Sequence, residues 1–247
     1  MVSRRYVYVA AGVLALLCLL LAEKCRAAQL RPETASAVVA SMVKAYGGTE
    51  AVGRIVSETA TGRIREYVND TSGTYARYLE RPGKLRIEVT PEQGGEIRIL
   101  NGTRGWRSSA AGYVAVSPLE LQSMVYQYSY LDLPMGLVHH TLSVSLGGKE
   151  AFHGRDVYRL LVSPRDAPQI DILVDAKTFL IVRVGASFSM GMMGAGELVT
   201  EYGDYRVTAG VPFPHRLTNF AGDMKLSEIL LDEIRINEKI PPVYFSP

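Results

Sequence analysis

Four histidines are the natural first suspects for chemistry in this 247-residue chain, and their spacing argues against a metal centre. His139 and His140 are adjacent, so on a strand they point to opposite faces and chelate poorly. His153 and His215 have no ligand spacing that joins them. Asp171 and Asp175 stand at i, i+4, on one face of a strand, where paired carboxylates could do acid–base work. A solvated strand edge and the start of a hairpin explain them better. The chain has no Gly-x-Ser-x-Gly elbow and no Walker-type glycine loop. The expectation is a non-enzymatic protein with no catalytic residue, no metal and no cofactor.

The remaining candidates are apolar. Met124, Tyr128, Leu131, Met135 and Leu137 could line the mouth of a pocket, although an apolar stripe at helical spacing also describes plain core. Met190, Met192 and Met193 lie among glycines between Ser189 and Gly196. Methionine adapts to irregular apolar surfaces and glycine frees the backbone, which suits a mobile rim around an acyl chain. A flexible hairpin packed on the core has the same composition. Trp106, the only tryptophan, follows Gly105 and reads as a core anchor or as a ligand-stacking ring.

The start of the chain sets the context for these groups. Arg4 and Arg5 precede an uncharged, mostly apolar run, and Ala27 and Ala28 follow a short polar stretch. That is the layout of a secretory signal peptide, with residues 1–27 removed after Ala27. The apolar run Val7–Ala22 has 16 residues, short of the ~20 that span a bilayer. Both cysteines, Cys18 and Cys25, fall in this segment, so the mature chain has no thiol or disulfide. Of 27 basic and 25 acidic residues, the segment holds four basic ones (Arg4, Arg5, Lys24, Arg26) and one acidic (Glu23). Processing leaves 23 against 24, a formal net charge of −1. No basic stripe or aromatic–basic motif points to nucleic acid.

Residues 28–247 read as one domain, since no linker or repeat divides them. Ala35, Val38, Val39, Met42, Val43 and Tyr46 form one helical stripe, predicting a helix from Pro32 to Tyr46 that stops at Gly47-Gly48. A short turn with Thr49 as cap follows. From Arg54 the apolar period becomes two, as in Leu85, Ile87 and Val89, in Ile97 and Ile99, in Ile170, Ile172 and Val174, and in Leu180, Val182 and Val184. Turn residues at 69–73, 81–83, 92–95, 175–178 and 208–210 predict hairpins. Ser117-Pro118-Leu119-Glu120 predicts a capped helix to Tyr130, followed by an apolar loop, Leu131–Val138. The fold class is mainly β (α+β), an antiparallel meander of about ten strands rather than a βαβ fold. Such a sheet must curl. The expected result is a half-barrel whose concave face is covered by helices, with room for an apolar cavity between them.

Several short motifs carry a family likeness. They are Tyr46-Gly47-Gly48, Asn101-Gly102, Trp106, Val174-Asp175-Ala176-Lys177-Thr178, Asp204-Tyr205-Arg206 and Gly210-Val211-Pro212-Phe213-Pro214. Together they resemble the outer-membrane lipoprotein-sorting proteins of the LolA/LolB-like superfamily, over Ala35 to Phe245. The resemblance implies a curved antiparallel half-barrel closed by helices, and periplasmic carriage of lipid or acylated lipoprotein by a monomer. An inner- or outer-membrane protein partner would deliver or receive the cargo. The same scaffold could instead serve as an envelope sensor or assembly module without lipid.

Overall fold

The computed structural model describes residues 34–91, 94–139, 142–164, 167–189 and 195–247. The expected signal segment, Pro32, His140, Met190, Met192 and Met193 lie outside the described residues. The first helix, α1, is Ala35–Ala45. It begins at Ala35, the first residue of the apolar stripe, because Thr34 is extended and its side chain accepts from the Ala37 N–H at 3.2 Å. That closes the helix from outside its first turn. The second helix, α2, is Gly48–Gly53. Its cap is Gly47, at φ 102°, and not Thr49. The left-handed turn that separates α1 from α2 needs a glycine there.

Among the described residues, thirteen strands make one antiparallel sheet. They are β1 (Ser57–Glu66), β2 (Thr71–Glu80), β3 (Lys84–Pro91), β4 (Glu96–Asn101), β5 (Arg104–Ser109), β6 (Gly112–Ala115) and β7 (Ser143–Phe152), then β8 (Arg155–Ser163), β9 (Ile170–Asp175), β10 (Ile181–Ser189), β11 (Ala195–Thr208), β12 (Val211–Ala221) and β13 (Met224–Ile236). The count exceeds ten, and the four-residue β6 has no apolar alternation to mark it. The 69–73 turn also moves: Thr71 to Gly73 already pair in β2, and the chain reverses over 67–70, with Asp70 at φ 49°.

The strand order is β6-β5-β4-β3-β2-β1-β13-β12-β11-β10-β9-β8-β7. Strands pair with their sequence neighbours except at the centre, where β1 meets β13. The two edges are therefore β6 and β7, consecutive in the chain but at opposite ends of the curved sheet. The chain between them holds α3 (Pro118–Leu131) and α4 (Met135–Val138). A connection between the two rims of a half-barrel has to cross its mouth, so topology makes these helices the cover. The one-turn α4 replaces part of the expected apolar loop.

The core fills the concave side. Leu79, Leu85, Ile87, Leu100, Leu160 and Ile172 from the sheet meet Val38 and Met42 of α1 and Met124, Leu131 and Met135 from the cover. On β10 the expected alternation is broken. The register slips between Ile181 and Arg183, so Ile181 and Val184 join the core while Val182 packs outside with Val157 and Leu173. The outer face of β3 and β4 is covered by a C-terminal turn, Pro242–Phe245. There Asn101 Nδ2 donates to Phe245 O at 3.1 Å and the Tyr244 ring meets Tyr78 edge-on at 4.7 Å.

Candidate functional site

Helix α3 is the element around which the site is built. Ser117 and Glu120 form the capping box its sequence predicts. Ser117 Oγ accepts from Glu120 N at 3.3 Å, and Glu120 Oε2 accepts from Ser117 N at 2.8 Å. These Ser117 donors hold the Glu120 carboxyl below its ordinary range. At the other end Asp132 caps the helix and pairs with Arg81 of the β2–β3 turn, both side chains buried. Tyr128, pushed up to about 12 mainly by burial, hydrogen-bonds the Gly83 backbone in the same turn. Glu120 also lies 3.5 Å from Arg107 Nε of β5, so both ends of the cover are tied to the sheet by polar contacts, and its middle is held by packing.

That packing requires a glycine beneath it. A Cβ on Gly105 of β5 would lie 2.7 Å from Val116 Cγ2 and 3.1 Å from both Leu121 Cδ1 and Met124 Sδ. The helix rests directly on the strand backbone. Gly105→Val is expected to lower stability by about 1–3 kcal/mol, the range for an overpacked core. Urea denaturation measures the loss, and faster hydrogen exchange in α3 locates it.

Empty space flanks α3 on both sides. A cavity of about 210 Å³ lies between the helix and the concave sheet, lined by Tyr75, Arg98, Tyr126, Tyr130, Leu131 and Leu217 among others. It shares Ser123 and Leu198 with a mainly apolar cleft of about 470 Å³ that also includes Leu119, Phe188 and Ala221. On the opposite flank, Thr103, Pro118, Leu121 and Val125 border a cleft of about 600 Å³. Beneath the cover, Tyr46, Glu58, Arg77, Tyr130, Tyr202 and Tyr205 enclose about 30 Å³, the room one water needs.

The walls are more polar than an apolar cavity requires. Tyr126 sits edge-on to Tyr130 at 5.0 Å and to Phe188 at 5.3 Å, and its hydroxyl donates to Leu198 O at 3.3 Å. Tyr46 and Tyr205 hydroxyls lie 3.0 Å apart, and Tyr205 donates to Ile181 O at 2.7 Å. Burial pushes Tyr46 up to about 12 and Tyr202 and Tyr205 well above the usual phenol range. These hydroxyls stay neutral at any physiological pH.

Of the expected site residues, Met124, Leu131, Met135 and Leu137 are buried and Tyr128 half-buried, all in the common core. Leu131 borders the 210 Å³ cavity. Met135 and Leu137, at 1% and 5% exposure, are the buried side chains of α4 itself rather than set at a mouth. Trp106 belongs to neither apolar cluster. Gly105 faces α3, so its neighbour Trp106 points to the outer face, away from the cavity. Met190, Met192 and Met193 lie outside the described residues. The sequence reading passed over Tyr75, Arg77 and Arg98. The alternation Tyr75, Arg77, Leu79 was a signal, since Leu79 is core and residues two apart share a face.

The chemical candidates disperse. Asp171 pairs with Arg159. Asp175 accepts from Lys177 N at 2.9 Å and Thr178 N at 2.8 Å, closing its hairpin. His153 Nε2 lies 3.3 Å from Glu201, and buried His215 meets Leu231 O through Nδ1 at 2.8 Å. Among the described residues, no three His, Cys, Asp or Glu side chains cluster as metal ligands.

No protein-family model matches this sequence, and no curated protein sequence matches it. Solved structures do match. A LolA superfamily protein from Nitrosomonas europaea aligns over 87% of this chain and 99% of its own, at 13% identity and TM-score 0.57. A domain named for outer membrane lipoprotein sorting, from Vibrio parahaemolyticus, aligns over 80% and 93%, at 14% identity and TM-score 0.52. A DUF1329 family protein from Desulfovibrio piger aligns over 86% and 97%, at 12% identity and TM-score 0.57. The curved open sheet with its helical cover is therefore a fold shared with these solved structures, a LolA superfamily protein among them.

Proposed function

We propose that residues 28–247 form one exported, non-enzymatic binding domain. It holds an acyl chain between the concave sheet and α3, as a periplasmic carrier of lipid or lipoprotein. The observation that carries this reading is the mainly apolar 470 Å³ cleft along α3, continuous in its lining with the 210 Å³ cavity behind the helix. The inner cavity alone is smaller than the roughly 300–1,000 Å³ of ordinary ligand sites. A long chain must therefore lie in both spaces and lift α3. The fold shared with a domain named for lipoprotein sorting, and the signal-like residues 1–27, agree with this use. Each buried methylene contributes about 0.8 kcal/mol, so a tail of ordinary length offsets the displacement of a helix.

Protein purified from an envelope fraction is expected to release bound lipid on native mass spectrometry, and delipidated protein to take up a fluorescent fatty acid. Folded protein that does neither would sink the proposal. The near-filled floor, about 30 Å³ among tyrosines, favours a second reading, a sensor or assembly module. In that case the protein retains a stoichiometric envelope protein and takes up no lipid.

A further inference from the structure

The 210 Å³ cavity holds a charge that an acyl tail does not need. Arg98 borders it, and no carboxylate does. The guanidinium's ion-pair partner, Glu96, is 3.7 Å away and half exposed. Around Arg98 the lining offers Tyr75, Gln127, Tyr130, Thr200 and Asn219, all neutral hydrogen-bonding groups. Burial holds the Tyr75 and Tyr130 hydroxyls above their ordinary range, so both remain proton donors. Ser123 and Ser227 add two hydroxyls, and Leu131, Leu217 and Ile229 are among the apolar lining.

Sheet register adds a second cation to the same wall. Arg77 pairs with Ile87, and Ile87 pairs with Arg98. Residues in one cross-strand row share a face, and Ile87 is in the concave core. Both guanidinium groups therefore enter the hollow two strands apart, Arg98 at the 210 Å³ cavity and Arg77 at the 30 Å³ space. Arg77 bonds Glu58 through Nη2, but its Nε and Nη1 are buried without an acceptor. Buried N–H donors left unpaired cost about 1–3 kcal/mol. A concave wall that combines a guanidinium whose one ion-pair partner is half exposed, orphaned donors and neutral hydroxyls has the composition of an anion site.

We propose that the cavity receives a single-chain amphiphile with an anionic head, carboxylate or phosphate, its head at Arg98 and its tail along α3 into the cleft beside Phe188. This rests on the acyl-binding reading above and narrows it. The ligand enters head first, which a tail-only pocket does not require.

The test compares lauric acid, lauryl phosphate and uncharged dodecanol on the mature protein. Each displaces a neutral naphthylamine dye, at a pH where the acid is ionised. At least one anion is expected to bind about tenfold or more tighter than dodecanol, the effect of one charge-assisted contact. Whichever anion leads identifies carboxylate or phosphate as the head. Arg98→Met is expected to bring both anions down to the level of dodecanol in the same variant, and Arg98→Lys to restore part of the preference. Circular dichroism verifies that each variant is folded. Equal affinity for all three ligands, or a preference that survives in Arg98→Met, overturns the anionic head while leaving acyl binding in place. If neither dye nor ligand binds, the acyl-binding reading falls and this one falls with it.

Discussion

Replacing Glu58 with alanine is expected to lower the free energy of unfolding by about 3–5 kcal/mol, the loss seen when one partner of a buried ion pair is removed. Glu58 and Arg77 are 2% and 5% exposed at their side chains. Burial works against the Arg77 charge, and the Glu58 carboxylate beside it more than offsets that, leaving the guanidinium above its ordinary range. Alanine takes away the countercharge and leaves the charge. Arg77 has no second carboxylate among its neighbours to fall back on, only the neutral Tyr75 and Tyr202 hydroxyls. Urea denaturation measures the effect. The double variant Glu58→Leu with Arg77→Met is expected to regain most of the loss, because both charges leave the interior together. A loss in the single variant below about 1 kcal/mol, the level of an exposed pair, would mean that water reaches the floor of the hollow.

That pair also shows where the sequence is legible and where it is not. Local signals read well. Ser117 and Glu120 lie three residues apart, so their capping box is written in a single turn. Leu85 and Ile87 alternate with charged residues, and their face is the buried one. Arg77 and Arg98 follow the same period of two but point inward. Along one strand, an arginine between apolar neighbours looks like the wet face, and the row Arg77, Ile87, Arg98 exists only once three strands are in register. Trp106 is illegible for the same reason, since the demand of α3 for a glycine at 105 settles which face the indole takes. The slip at Ile181/Arg183 inverts the expected faces of β10 with no marker in its apolar pattern. The outer cover on β3 and β4 comes from residues about 150 positions away, beyond any local pattern. Helical cover and sheet class follow from periodicity, but the polar lining depends on register.

The second large effect is a loss of stability with rising pH, centred on the end of the cover. Burial raises Asp132 from its ordinary 3.8 to about 6, against the opposing pull of Arg81 and, more weakly, His139, while the Glu58 charge adds to the rise. The folded state then binds the Asp132 proton more tightly than the unfolded chain does. Its contribution to stability is fully present below about pH 4 and is lost as pH rises to about 6. At about 1.36 kcal/mol per pH unit, the loss approaches 3 kcal/mol. Asp175 and Asp204 are shifted down and act in the opposite sense, their contributions fading in acid. The whole-protein curve therefore mixes both signs, and Asp132→Asn separates them. The stability of wild type relative to that variant is expected to be greatest near pH 4 and to decline by up to about 3 kcal/mol by pH 7, then level off. A difference that is flat across this window would mean that the Arg81 charge outweighs burial. The balance already includes Arg81, whose Nη1 keeps Ile55 O as an acceptor at 3.4 Å while its Nη2 has none. Breaking the ion pair by protonation thus fastens this end of α3 instead of releasing it, and opening of the cover by acid should not be looked for there.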